Sequence, residues 1–186
     1  MRTELLDTVS RIEPFDATEA SHKAHVLRWI RSDAPLYRIA KPDVPSQHLV
    51  AYFVVFDPEE RMVLLVDHLK AQAWLPTGGH VLVDEDPRDA VVREAEEELH
   101  IAARFLQTTG QDPLFATVTQ TKGPGTHTDV SLWYIIEGSV AEQLYPDTSE
   151  FNYYRWLTFN QVLAMDASEL DPHMHRFIYK LNALLG

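Results

Sequence analysis

The segment Gly79-His80-Val81-Leu82-Val83-Asp84-Glu85-Asp86-Pro87-Arg88-Asp89-Ala90-Val91-Val92-Arg93-Glu94-Ala95-Glu96-Glu97-Glu98-Leu99-His100-Ile101 holds the strongest helix signal and the densest group of carboxylates in the chain. Asp86 is suited to cap a helix, Pro87 to its first position and Asp89 to its first turn, so the pattern predicts a helix over residues 87–99. Successive helical residues turn by about 100°, which gathers Glu94, Glu97 and Glu98 within about a third of the circumference. Val91, Val92, Ala95 and Leu99 fall on the neighbouring arc. One face therefore packs inward while the adjacent stripe presents acids at close spacing. Like charges at i and i+4 destabilise a helix by a few tenths of a kcal/mol, and crowding raises carboxylate pKa values, so the stripe favours a bound cation. Oxygen donors suit a hard divalent ion, Mg²⁺ or Mn²⁺. A glutamate run on its own is more commonly a solvated acidic face. The preceding segment shifts that balance: Gly78-Gly79 lets the backbone approach a ligand closely and expose a carbonyl, and Glu85 lies in the loop leading to the helix.

Outward from this segment the chain reads as one unit, without repeats or low-complexity tracts. Asp16 and Glu19 have capping-box spacing ahead of a helix over residues 17–31, with Ala20, Ala24, Leu27 and Ile30 at helical intervals. Residues 36–47, interrupted by prolines, suggest an irregular crossing. The period then changes: residues 48–56 and 62–68 are rich in Val, Leu, Tyr and Phe, and Asp57-Pro58-Glu59-Glu60-Arg61 between them suggests a hairpin. Residues 74–83 are strand-like but interrupted by Thr77-Gly78-Gly79. Further strands are expected over 104–108, 114–120, 129–137 and 153–157, a short helix over 159–165 and a last helix over 172–185. This order favours a mixed sheet flanked by helices, an α/β (α+β) arrangement, over an alternating doubly wound fold.

Gly79, Glu85, Arg93, Glu94, Glu97 and Glu98 stand as Gly, five residues, Glu, seven residues, Arg-Glu, an apolar residue, any residue, Glu-Glu, with apolar Ile101 closing the pattern. The segment Gly79 to Ile101 resembles the signature of the Nudix hydrolase family, with one departure: His100 stands where the family pattern has glycine. That glycine would end the helix in a left-handed conformation, and His tolerates positive φ at a cost of roughly 1 kcal/mol. The resemblance implies an α/β/α sandwich around a mixed sheet. A Nudix hydrolase domain would span residues 48–186, and an N-terminal helical extension, residues 1–47, lies outside the signature.

It also implies hydrolysis of a diphosphate linked to another moiety, using Mg²⁺ or Mn²⁺. The Gly79 carbonyl, Glu94, Glu97 and Glu98 would be the metal ligands, with Arg93 paired to Glu85 to hold the loop against the helix. The cation would neutralise the diphosphate and acidify a water. Family members differ over which acid takes the proton, some using the position of Glu94 and others an acid on a distal loop. Glu150, just before the Trp156-containing strand, looks like that distal acid, as an extra metal ligand or the base.

Weaker candidates surround this set. His127 and Asp129 could reach a substrate from a loop, although a turn role suits Asp129 well. His22 with His25, and His173 with His175, lack a third ligand at zinc spacing. Tyr52, Trp74, Trp133 and Tyr134 could stack on a base, yet each lies in a strand where core packing is the default. Three carboxylates on one stripe cannot flank a sugar from two sides, which excludes a glycosidase pair.

Composition supplies the remaining bounds. The 186 residues carry a formal net charge of −12 and no cysteine. An acidic chain does not hold a polyanion by counterion release, so a phosphate ligand needs a cation to mediate, and thiol chemistry is absent. That absence disfavours the isomerase that shares the family fold and uses a cysteine. No apolar run reaches membrane-spanning length, and no basic recognition helix is seen. The expectation is a soluble cytoplasmic enzyme acting on a small-molecule nucleotide: a nucleoside triphosphate, oxidised or not, or a nucleotide sugar such as ADP-ribose. The competing reading is a Nudix-fold sensor that binds a nucleotide without cleaving it. Trp29 and Ile30 have the look of buried anchors, for the core or for a homodimer.

Overall fold

A strand covered on both faces has no polar side, and β1 (Gln47–Asp57) is buried along nearly its whole length. The computed structural model describes residues 2–41, 43–121 and 126–186. Around β1 lie β2 (Met62–His68), β3 (Ala73–Leu75), β4 (Thr77–His80), β5 (Phe115–Gln120), β6 (Thr128–Glu137) and β7 (Phe151–Thr158). They form a seven-stranded sheet in the order β3-β2-β1-β6-β5, with β4 also paired to β1 and β7 to β2. β1 and β6 run parallel, from Gln47 opposite Thr128 to Phe56 opposite Glu137, whereas β1 pairs antiparallel with β2 and β4. The sheet is therefore mixed, as expected.

Successive strand residues alternate between the faces. Leu49, Ala51, Phe53 and Val55 face a core built with α1 (Arg2–Arg11), α2 (Ala17–Arg31) and α3 (Pro87–Leu99). Val54 and Phe56 face a second core built with α4 (Phe159–Ala164) and α5 (Met174–Leu185). The result is a three-layer α/β/α sandwich. Trp29 and Ile30 pack into the first core within the chain itself, beside Leu5, Val9 and Val26.

Several local expectations need correction. Asp16 caps α2 by accepting from the Glu19 N–H at 2.8 Å. The Glu19 carboxylate does not return to Asp16, however: it accepts from the Phe15 N–H at 2.7 Å and pairs with Lys180 at 2.7 Å. Residues 74–83 are two short strands, β3 and β4, separated at Pro76, and residues 81–83 are loop. Residues 104–108 are not a strand; Phe105 makes a single bridge to Ile136. The hairpin between β1 and β2 is built by Asp57, whose Oδ1 accepts from the N–H groups of Glu59 and Glu60.

Candidate active site

The sequence dictates both ends of α3. The Asp86 side chain accepts from the Arg88 N–H at 2.8 Å, with Pro87 in the first turn. At the other end His100 takes the left-handed conformation, φ 55° and ψ 41°. Its N–H donates to the Glu96 carbonyl, and the Ile101 N–H donates to that of Ala95. Ala90, Val91, Ala95 and Leu99 are fully buried, so the apolar arc packs inward as expected. Val92 is the exception and stands 47% exposed.

The acidic stripe is graded in burial. Glu97 is exposed, Glu94 half-buried and Glu98 buried. The Gly78 N–H donates to Glu98 Oε2 at 2.9 Å. A Cβ on Gly79 would collide with the Glu94 carboxylate, and one on Gly78, at φ +132°, would collide with the Ala51 carbonyl. Glycine at both positions thus lets β4 run directly under the stripe.

Arg93 organises the approach. Its Nε and Nη2 grip Glu85 at 2.8 and 3.0 Å, Nη2 also donates to the His80 carbonyl, and Nη1 donates to Glu94 Oε1 at 2.6 Å. Burial acts to raise Glu85, but the Arg93 hydrogen bonds, the Leu82 N–H and the Arg93 charge together outweigh it and hold the carboxyl below its usual range. The expected pair between Arg93 and Glu85 is therefore formed, and it ties the loop to the helix.

Arg93 pairs with Glu94 at 2.6 Å and with Glu97 at 3.3 Å, so the uncompensated charge in the stripe falls on Glu98. Burial pushes Glu98 up to about 9, with the Glu94 charge adding to it and the Gly78 N–H opposing. Burial likewise raises Glu94, against the Arg93 hydrogen bond. Among the described residues Glu98 has no ion-pair partner: the Gly78 N–H is its hydrogen-bond donor, and the charges acting on it are those of Glu94, Glu150 and Asp147. This set fits a hard divalent cation better than it fits a folded protein without one.

Glu150 enters from the turn before β7. Its carboxylate lies 3.6 Å from Lys70 Nζ and 4.0 Å from His68 Nε2, and its charge acts on both Glu94 and Glu98. Asp147 is nearby, its N–H donating to the Glu98 carbonyl at 2.8 Å. Gly79, Glu94, Glu98 and Glu150 are thus brought together by a strand, a helix and a distal turn.

His127 and Asp129 fall in a different group. His127 Nε2 is 3.2 Å from Asp129 Oδ1, and His48 Nε2 is 3.3 Å from the same oxygen. His80 and Asp43 complete that group. Sequence spacing gave no sign of it, because its members are scattered from residue 43 to residue 129. Trp133 and Tyr134 are core residues, Trp133 donating its indole N–H to Thr117 Oγ1. Trp74 is half-buried under the Arg155 guanidinium at 4.8 Å. The His22 and His173 rings meet edge to face at 5.2 Å, with no third ligand beside them among the described residues.

Comparison with known proteins agrees with this architecture. No curated protein sequence matches the chain. The fold is similar to that of an E. coli dihydroneopterin triphosphate pyrophosphohydrolase, at 16% identity and TM-score 0.57 over 80% of this chain and 99% of that one. It is also similar to a C. elegans Ap4A hydrolase, at 17% identity and TM-score 0.57 over 74% and 96% of the two chains. A Nudix-family hydrolase from Clostridium perfringens superposes at 19% identity and TM-score 0.55, over 74% and 95%. The NUDIX domain profile matches residues 46–180, which include the whole stripe, its glycine strand and Glu150. The chain therefore belongs to the Nudix family, hydrolases of phosphoric anhydride bonds.

Proposed function

We propose that the chain is a divalent-cation-dependent pyrophosphohydrolase of a small-molecule nucleotide in the cytoplasm. Its substrate class is a nucleoside diphosphate linked to another moiety: a nucleoside triphosphate, oxidised or not, or a nucleotide sugar. The observation that carries this is buried Glu98, set against Glu94 and the Gly78-Gly79 backbone without a cationic partner among the described residues. Glu94, Glu97, Glu98, the Gly79 carbonyl and Glu150 would hold Mg²⁺ or Mn²⁺. When bound, such a cation supplies positive charge that offsets the diphosphate and acidifies a water. Arg93 and Glu85 fix the loop so that Glu94 keeps its place over β4. Glu150 takes the water's proton, being held only by longer contacts than those that tie Glu94 to Arg93. Residues 48–186 carry this chemistry, and the extension 1–47 supports it from outside the signature.

Triphosphate- and Ap4A-cleaving proteins share the fold, which supports the substrate class without selecting a member of it. The test is a panel of triphosphates, 8-oxo forms, dinucleoside polyphosphates and nucleotide sugars with Mg²⁺ or Mn²⁺, followed by phosphorus NMR. Cleavage at a phosphoric anhydride, abolished by chelation, is expected. Tight nucleotide binding without turnover of any panel member would instead identify a sensor.

A further inference from the structure

Asp43, His48, His80 and His127 each offer one donor atom, and these atoms all lie within 4.8 Å of one another. They come from four separate segments: the turn closed by the Ala40–Val44 bridge, β1, the end of β4 and the residue before β6. Among the described residues, the buried side-chain nitrogen and oxygen atoms lacking a hydrogen-bond partner are His48 Nε2, His80 Nε2 and Asp129 Oδ1. Two of them belong to this cluster, and Asp129 adjoins it through His48 and His127. His48 Nε2 and Asp129 Oδ1 face each other at 3.3 Å, and His127 Nε2 lies 3.2 Å from the same oxygen, whereas His80 Nε2 is left without a partner; buried polar atoms are nearly always satisfied, so that nitrogen calls for one.

His48 shows what kind of partner. It is fully buried, its Nδ1 donates to the Pro45 carbonyl at 3.0 Å, and its Nε2 points into the cluster 3.3 Å from Asp129 Oδ1, where the neutral ring would offer a lone pair to a cation. A backbone carbonyl that fixes the tautomer in this way is the usual support of a metal-ligating histidine. Asp43 is oriented likewise, one oxygen 3.4 Å from Arg38 and the other 3.4 Å from His127 Nδ1. We infer that Asp43, His48, His80 and His127 form a second metal site, for a borderline transition cation of the Zn²⁺ type, with Asp129 beside it as an additional donor. Imidazole-rich sets prefer such ions, whereas the glutamate stripe, all oxygen, suits Mg²⁺. Bonds of about 2.0–2.1 Å need donors no more than about 4 Å apart, so movements of under about 1 Å close the set.

The site would pin the irregular segment before β1, together with the residues before β6, onto the sheet at His80. His80 adjoins Gly79, and its carbonyl is held by Arg93. The inference stands apart from hydrolysis and survives if the proposed reaction fails.

Its test uses the full chain stripped with a chelator, then titrated with Zn²⁺ or Co²⁺ in excess Mg²⁺. One Zn²⁺ per chain is expected, with Co²⁺ giving the visible bands of an imidazole-ligated ion. Binding should be unchanged in the Glu97→Gln/Glu98→Gln double variant. His80→Ala and His127→Ala should each weaken it by at least about 10²-fold while melting like stripped wild type. Should either fail to fold, Asp43→Asn serves in its place. Wild type that takes up no Zn²⁺, or folded histidine variants that hold it as tightly as wild type, would overturn the site.

Discussion

Burial pushes the Glu98 carboxyl up to about 9, while a glutamate in the unfolded chain ionises near about 4.3. Between these values unfolding releases a proton, so without metal this group's contribution to stability is full at low pH and is lost as pH rises toward 9. Glu98→Gln removes that loss and keeps an acceptor for the Gly78 N–H. Melting in chelator should therefore show wild type losing more stability than the variant between pH 5 and pH 8.5, and Mg²⁺ should rescue only wild type. Turnover of the variant should fall by at least about 10²-fold. Parallel melting profiles would show that Glu98 is not a strained acid. Glu150 is tested on kinetic grounds: Glu150→Gln should lower kcat about 10²-fold with little change in KM, because its contribution arises as water becomes a nucleophile. Glu94→Gln should act more on the Mg²⁺ dependence. The reverse order would move the base to Glu94. If both variants stay active, Asp147 is next in line, since its N–H meets the Glu98 carbonyl whereas Glu142 pairs with Arg104 at 3.7 Å.

At the scale of elements, α3 was legible because cap, first-turn proline, apolar arc and acidic stripe are all local. Its end was legible too: His100 at φ 55° takes the conformation the missing glycine would have had. His100→Gly relieves the Cβ penalty but adds unfolded-state entropy, terms of about 1 kcal/mol each and opposite sign. The expected change in unfolding free energy is within about 1 kcal/mol of zero, measured by denaturant titration, with activity retained. A loss of several kcal/mol would mean that the imidazole makes a contact of its own. Residues 104–108 misled for a physical reason. Their apolar residues signal burial, but β5 already occupies the edge of β6 from Thr128 to Trp133, leaving Phe105 only one bridge beyond it. Helix α1 was missed because it buries only Leu5 and Val9, too few apolar positions to show a period.

For the whole molecule, what could not be read was long-range pairing. The parallel match of β1 with β6 joins residues some eighty positions apart, and it brings His48 opposite Asp129, so the histidine cluster exists only once the sheet is assembled. A second long-range tie links the N-terminal region to the last helix. Glu19 in α2 is fully buried and pairs with Lys180 in α5, which also donates to the Glu13 carbonyl at 2.6 Å. Alongside, Arg176 binds Asp16 at 2.6 Å, lowering the Asp16 carboxyl to about 2 chiefly through that hydrogen bond. The extension is thus fastened to both cores, through Trp29 and Ile30 on one side and α5 on the other. Removing one partner of a buried ion pair leaves an uncompensated charge, which costs about 3–5 kcal/mol. Lys180→Met should therefore lower the unfolding free energy by that amount. Adding Glu19→Gln should recover a substantial part, because the amide oxygen still accepts from the Phe15 N–H while the stranded charge is gone. Urea denaturation of the two single variants and the double variant measures this coupling directly. A double variant no more stable than Lys180→Met would show that the Glu19 charge does not depend on Lys180 for its compensation.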